Sequence, residues 1–487
     1  MGVASLIFIA NLFAQAPDTL WTKTFGGADY DWGISVQETS DSGYIIAGMT
    51  LSFGAGSFDA YLIKTNATGE TLWTKTYGGN NYDFAASVQQ TSDGGYIIAG
   101  MTFSFGAGLN DVWLIKTDSF GDSLWARTFG GTSMDASYSV QQTIDGGYII
   151  VGWTESFGRS DQDVYLIKTD SSGNDVWAKT YGGSGNDQGF SVVQTSDSGY
   201  IIVGNTRSFG PGDEDVYLLK TDKDGDLLWD KTYGGTNYDA AYSVKQTIDG
   251  GYIIAGYTES FGVGASDIYL VKTDSIGDTI WTRTFGGEHG EGSNSVENTA
   301  DSGYIVAGWT GTYGVGMGDV YLVKTDAKGD TLWTKTIGGD STDYGLYIEQ
   351  TFDKGYIIVG STSSFGAGLD DIYLIKTKPD VSVEEGKQNQ RYKTRDTKLL
   401  FHPNPFTSST TISFTCLGHS AKCIELKIYD ISGRLVKRFV RGGVPNSQFS
   451  ILNYTWDGRD AEGKKVNAGI YFLKVDGMNV EKVVKLR

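Results

Sequence analysis

Six side chains in this 487-residue sequence are the ones best suited to hold a ligand: Trp153, Glu155, Arg207, Tyr257, Glu259 and Trp309. They fall in two columns of a repeating pattern, at places where the copies disagree while their neighbours barely change. One column runs Met49, Met101, Trp153, Asn205, Tyr257, Trp309, Ser361; the other runs Leu51, Phe103, Glu155, Arg207, Glu259, Gly311, Ser363. Flat aromatic faces suit the stacking of sugar rings, and neighbouring charges supply directional polar contacts. Drift at solvated loop positions is the plainer explanation of the same variation.

Other chemistry-bearing residues read as scaffolding. Asp31, Asp83, Asp135, Asp187, Asp239, Glu291 and Asp343 recur with the repeat, as do Asp59, Asp111, Asp163, Asp215, Asp267, Asp319 and Asp371. A third acidic series, beginning Asp41, Asp93 and Asp145, lies in tight turns. Carboxylate or calcium rings are one reading, but a residue present in every copy serves what every copy needs, and Asp closes turns by accepting backbone N–H bonds. "DKDGD" at 222–226 places its Gly fourth, not sixth, which excludes an EF-hand loop. Glu288, His289 and Glu291 share a short loop whose single His is a poor metal set. No nucleophile elbow, P-loop or paired CxxC occurs, so neither a catalytic residue nor a cofactor or metal is expected.

The elements that position these residues follow from one period. Trp21, Trp73, Trp125, Trp177, Trp229, Trp281 and Trp333 are spaced 52 apart, and so are the tyrosines from Tyr44 to Tyr356 that open "GYIIAG". That period lies in the range of propeller blades. Each repeat holds four strand-like runs, as in "SVQQT", "YIIAGMT", "DVWLIKT" and "SLWARTFGG", separated by turn signals. The "YIIAG" runs are apolar on both faces, as expected of strands sandwiched between sheets. The expected fold is all-β: a seven-bladed β-propeller over 17–378. The seventh copy stops at Lys378 without an "LWTKT" run, whereas the first such run, near 20–25, has no preceding copy. Joining the two closes the ring. Alternation then places the loops between blades and between second and third strands on one face, the better face for binding.

Composition agrees. Gly reaches 68 and aromatics 13%, with only 6 Pro, and the net charge is −19. Residues 379–487 carry 18 Lys/Arg against 11 Asp/Glu, whereas the first 378 carry 21 against 47. So acidic a body argues against nucleic-acid partners. Residues 1–16 read as a secretory signal peptide, an apolar run ending in Ala14, Gln15 and Ala16; no Lys or Arg precedes it, and Pro17 leaves cleavage after Ala14 as an alternative. No later run approaches the length of a membrane span. A monomer is expected. Cys416 and Cys423, with six residues between them, either close a disulfide across a hairpin or stay two buried thiols.

Residues 379–399 are polar and aperiodic and read as a linker; 400–487 alternate as short strands and read as a small Ig-like β-sandwich. The repeats resemble those of secreted bacterial propellers and, more weakly, kelch. The last 88 residues resemble the type A C-terminal sorting domain of type IX secretion, a relative of the flagellar hook-capping Ig-like domain. The matching residues are Pro403, Asn404, Pro405, Tyr429, Asp430, Gly433, Arg434, Trp456, Asp457, Gly458, Asp460 and Gly463. Ala468, Gly469, Tyr471 and the ending Lys482, Val483, Val484, Lys485 continue it, while His402 stands where an aromatic is usual. The resemblance implies export, recognition by an outer-membrane type IX translocon, and a secreted or cell-surface location. The expected function is a non-enzymatic propeller that binds or scaffolds a glycan or protein; the alternatives are a polysaccharide-acting enzyme and a structural surface-layer protein.

Overall fold

The computed structural model describes residues 15–159, 161–380, 400–402, 409–416, 424–430, 434–441, 450–475 and 481–485. Residues 1–14 of the expected leader and most of the linker lie outside them.

Seven four-stranded antiparallel sheets make up the first unit. In the third blade Asp135–Gln142, Tyr148–Thr154, Asp163–Thr169 and Asp175–Tyr181 pair in chain order. Tyr148–Thr154 and Asp163–Thr169 are buried along their whole length, while Asp175–Tyr181 exposes alternate residues. The twice-buried runs are the inner layers of the blade, and the alternating run is its outer edge. Seven hydrophobic clusters sit between successive sheets; one packs Ile149, Val151, Val164 and Leu166 against Val192, Tyr200 and Tyr217 of the next blade.

The first strand of every blade is bulged. In the opening blade the register slips between Gly33 and Ser35, leaving residue 34 unpaired. The facing glycine is a consequence of this bend: a Cβ on Gly48 would lie 1.8 Å from the Trp32 carbonyl oxygen. The "AG" or "VG" ending of the second strand is therefore a close-approach requirement.

The seventh sheet is closed by the opening strand. Thr19–Phe25 pairs antiparallel with Asp371–Thr377, with Thr24 opposite Tyr373 and Trp21 opposite Lys376. Lys378 donates its backbone N–H to the Asp18 carbonyl at 2.8 Å. Trp21 meets Tyr44 edge-on at 5.9 Å, the same contact that Trp73 makes with Tyr96. Position and packing both make it the missing outer strand. The propeller extends to Asp380, which is buried and accepts the Tyr356 hydroxyl at 2.6 Å.

The chain divides into two compact units at Gly386/Lys387. The second holds one sheet of Leu400–His402, Thr410–Cys416 and Ser450–Trp456, and another of Leu435–Arg441, Ile424–Asp430, Gly469–Val475 and Glu481–Lys485. Trp456 of one sheet meets Tyr471 of the other at 5.0 Å and 75°, and both are buried with Ile412, Leu426, Ile428 and Leu473. No helix of the described residues is long and apolar enough to cross a membrane.

Candidate site in the central channel

The seven first strands surround a channel with a cavity of about 610 Å³. Its lining is three tiers deep, because the bulge turns residue 34 inward alongside residues 35 and 37. In the middle tier, serines from blades one to six accept a backbone N–H from the next blade, as Ser35 does from Val88 at 3.3 Å and Ser243 from Val296 at 3.1 Å. In the lower tier Gln37, Gln89 and Gln141 do the same for Gln90, Gln142 and Gln194, each at 2.6 Å. These rings lace the blades together and satisfy backbone donors that face the channel.

Blades four to seven break the pattern. The lower tier continues Val193, Lys245, Glu297, Glu349, and the seventh serine is Tyr347. Lys245 Nζ lies 2.8 Å from Glu297 Oε2, and the two side chains are 25% and 20% exposed, open only to the channel. Burial opposes the lysine's charge, but Glu297 with help from Tyr347 outweighs it and raises its pKa. Glu349 Oε2 accepts the Glu38 N–H at 3.2 Å, so this carboxyl occupies the place of a glutamine amide. Among the described residues no cation forms an ion pair with it: burial, then the charge of Glu297, push it up to about 8 against the pull of Lys245. Carboxyls held in dry surroundings beside a like charge keep their proton to high pH.

The upper tier is asymmetric as well: Ile34, Ala86, Tyr138, Phe190, Tyr242, Asn294, Leu346. Tyr138 and Phe190 approach to 4.9 Å between ring centres, and Phe190 and Tyr242 to 5.0 Å. Blades three to five thus present one continuous aromatic wall.

The six side chains singled out from the sequence lie around this wall and beyond it. Trp153 is 8% exposed and donates its indole N–H to the Tyr138 hydroxyl at 3.2 Å, backing the wall from behind. Tyr257 stacks on Tyr242 at 6.2 Å and 26°, extending it. Trp309 belongs to another sector, where it meets Tyr344 edge-on at 6.0 Å. Arg207 bonds Glu214 at 2.8 Å and borders a polar pocket of about 110 Å³ with Gln162, Gln188 and Asn205. Glu155 joins the rim of that pocket by accepting from Gln162 at 3.2 Å. Glu259 is exposed on its own loop. The channel tiers were missed by sequence reading. Their signal was present, since columns 34 and 37 of the repeat change residue class halfway round.

The repeating acids serve turns and blade joints. Asp83 accepts from the Gly79 N–H at 2.8 Å and the Ser104 hydroxyl at 2.6 Å, and also from Thr102. Asp93 accepts from Thr91 at 2.6 Å and Gly95 at 3.0 Å, and pairs at 3.0 Å with Lys116, a lysine buried in the third strand. Among the described residues no group of three or more His, Cys, Asp or Glu is placed to hold a metal.

In the second unit Asp430 pairs with Arg434 at 2.9 Å, the Trp456 indole donates to the Arg459 carbonyl at 2.9 Å, and the Tyr471 hydroxyl donates to that of Asn467 at 2.7 Å. Asp457 accepts the Arg459 N–H at 3.2 Å, Gly458 and Gly469 take positive φ of 67° and 158°, and Lys485 is buried in the last strand. Pro403, Asn404, Pro405, Gly433 and Cys423 lie outside the described residues.

A family model described as FlgD Ig-like domain matches residues 403–481. Among curated proteins the chain is similar to the "Regulatory protein FlaEY" of Caulobacter vibrioides, at 25% identity over 248 residues. That match covers 48% of this chain and 24% of the relative, so the chain spans about a quarter of that protein's length. Of solved structures, a puromycin hydrolase aligns with TM-score 0.47 and 12% identity over 84% of this chain and 62% of that one. The phage phi92 endosialidase aligns with TM-score 0.43 and 10% identity over 93% and 79%. The propeller assignment rests on the strand pairing itself.

Proposed function

We propose that this protein is an exported, non-enzymatic propeller that binds a glycan at the upper mouth of its channel. The observation that carries this reading is the run Tyr138–Phe190–Tyr242, confined to three adjacent blades of the upper tier. Sugar rings pack their C–H faces on such surfaces, and amides and charges nearby bind their hydroxyls. Glu155, Arg207, Gln162 and Gln188 provide those groups beside the same blades. A glycan array read with the wild type and Tyr242→Ala tests it: binding is expected, with a ~10-fold or greater loss in the variant, a large aromatic anchor being worth ~2 kcal/mol or more. Binding that ignores Tyr242 removes the proposal.

A second reading is favoured by Glu297 and Glu349, two carboxyls lining one cavity, the first paired with Lys245 and the second pushed up to about 8 by burial and by the charge of Glu297. That is also the arrangement of acid–base hydrolysis. Release of sugar from an array hit, abolished by Glu349→Gln, would turn the conclusion to an enzyme.

The C-terminal unit supplies the address in this proposal. Its FlgD Ig-like match and the resemblance of Trp456, Asp457, Gly458 and Tyr471 to the sorting domain support export through a type IX translocon to the cell surface or medium. In a bacterium with that system, the full chain is expected outside the cell, and a chain ending at 386 inside it. Equal export of both would exclude the role.

A further inference from the structure

The channel's lower tier specifies more than a scaffold requires. Gln37, Gln89 and Gln141 show what the ring needs at this level: one side-chain oxygen to accept the next blade's N–H. Glu349 performs that task with an ionisable group. A glutamine would perform it without the cost of burying a carboxyl. Lys245 is matched by Glu297 at 2.8 Å, leaving Glu349 as the carboxyl without a cation. The groups facing it from the packed elements are Glu38 and Tyr44 from blade one, Lys245 from blade five, Glu297 from blade six, and Tyr347 on its own strand. Only one of these is positive.

Above it, the cavity offers the aromatic wall. Residues 34 and 37 of a repeat are three apart on an extended strand, so the two tiers are separated by roughly 10 Å, about the length of two linked sugar rings. The cavity of about 610 Å³ has the size of a small-ligand site.

We propose that the channel selects a glycan carrying free amino groups, one sugar packed on Tyr138, Phe190 and Tyr242 and the ammonium of the next held by Glu349. This rests on the glycan reading above and narrows it to a charge class. Near neutral pH the empty Glu349 keeps a proton, which the arriving ammonium displaces; a neutral acetamido sugar has no such partner there.

The test compares a glucosamine tetramer with its fully N-acetylated counterpart, both titrated calorimetrically at neutral pH into the full chain. The amine form is expected to bind more tightly by ~10-fold or more, the scale of one well-placed charge pair. Glu349→Gln, which restores the residue that blades one to three already carry, should fold and bind both forms within ~2-fold of each other. Tyr242→Ala should weaken both forms alike. Equal affinities in the wild type, or an amine preference that survives Glu349→Gln, would overturn the charge selection and leave the glycan reading standing. Binding of neither tetramer, with tight binding of a lysine pentapeptide, would overturn both.

Discussion

At the scale of single residues, Glu349 shows how a departure from a repeat is detected energetically. Its carboxyl is raised to about 8, chiefly by burial and then by Glu297. A carboxyl whose folded pKa lies above its unfolded value near ~4.3 stabilises the fold at low pH and loses that stabilisation as pH rises towards 8. Glu349→Gln should therefore melt close to the wild type at pH 5 and several degrees higher at pH 8.5, the gap opening between those values in thermal melts. A gap independent of pH would mean that the side chain is solvated. The sequence did not reveal this residue because a period-two reading counts every other side chain as channel-facing. The bulge at residue 34 breaks that count by bringing a further column inward.

At the scale of elements, the opening strand was legible, since a missing fourth run and an orphan copy of it can be counted. The same regularity made the second strand readable as twice-buried, whereas the full burial of the third came from the structure. Trp21 carries the joint: it packs with Phe25 against Val36, Tyr44 and Ile63 of one blade and Ile357 and Leu374 of another. Because it stays partly exposed, Trp21→Ala should cost ~2–3 kcal/mol, below the range for a fully buried tryptophan. Chemical denaturation checks it. Trp229→Ala, at the same place in an internal blade, is the control: both variants lose the contact, but only Trp21→Ala should expose the opening strand to limited proteolysis. The variable columns were less legible, because whether Trp153, at the end of its strand, faces a ligand or backs Tyr138 is decided by packing across the blade.

At the scale of the whole molecule, the third-strand lysines form a ring of seven clamps, Lys64 to Lys376, each buried and paired with a turn aspartate at 2.8–3.1 Å. For Asp41 and its six equivalents burial alone would raise the pKa. The threonine hydroxyl, the lysine and the backbone N–H together outweigh it and hold the carboxyl below the usual range. A depressed pKa gives stability that is present above the unfolded value near ~3.9 and is lost as pH falls through the folded one. With Glu349 replaced by Gln, thermal melts should thus hold level from pH 7 to 5 and collapse steeply below ~4, seven sites titrating together. Asp301→Asn, at the most enclosed of these carboxylates, should soften that collapse and lower the melting point at pH 7.

The pairing of Thr19–Phe25 with Asp371–Thr377 also sets a schedule. The segment made first must wait for the one made last, and at 5–20 residues per second synthesis alone imposes a delay of ~20 s or longer. Throughout that interval a hydrogen-bonding ribbon remains uncommitted, and six nascent sheets share an unfinished rim. Any factor that meets the chain during synthesis has that window in which to handle a molecule not yet locked, and the strand Asp371–Thr377 acts as its latch.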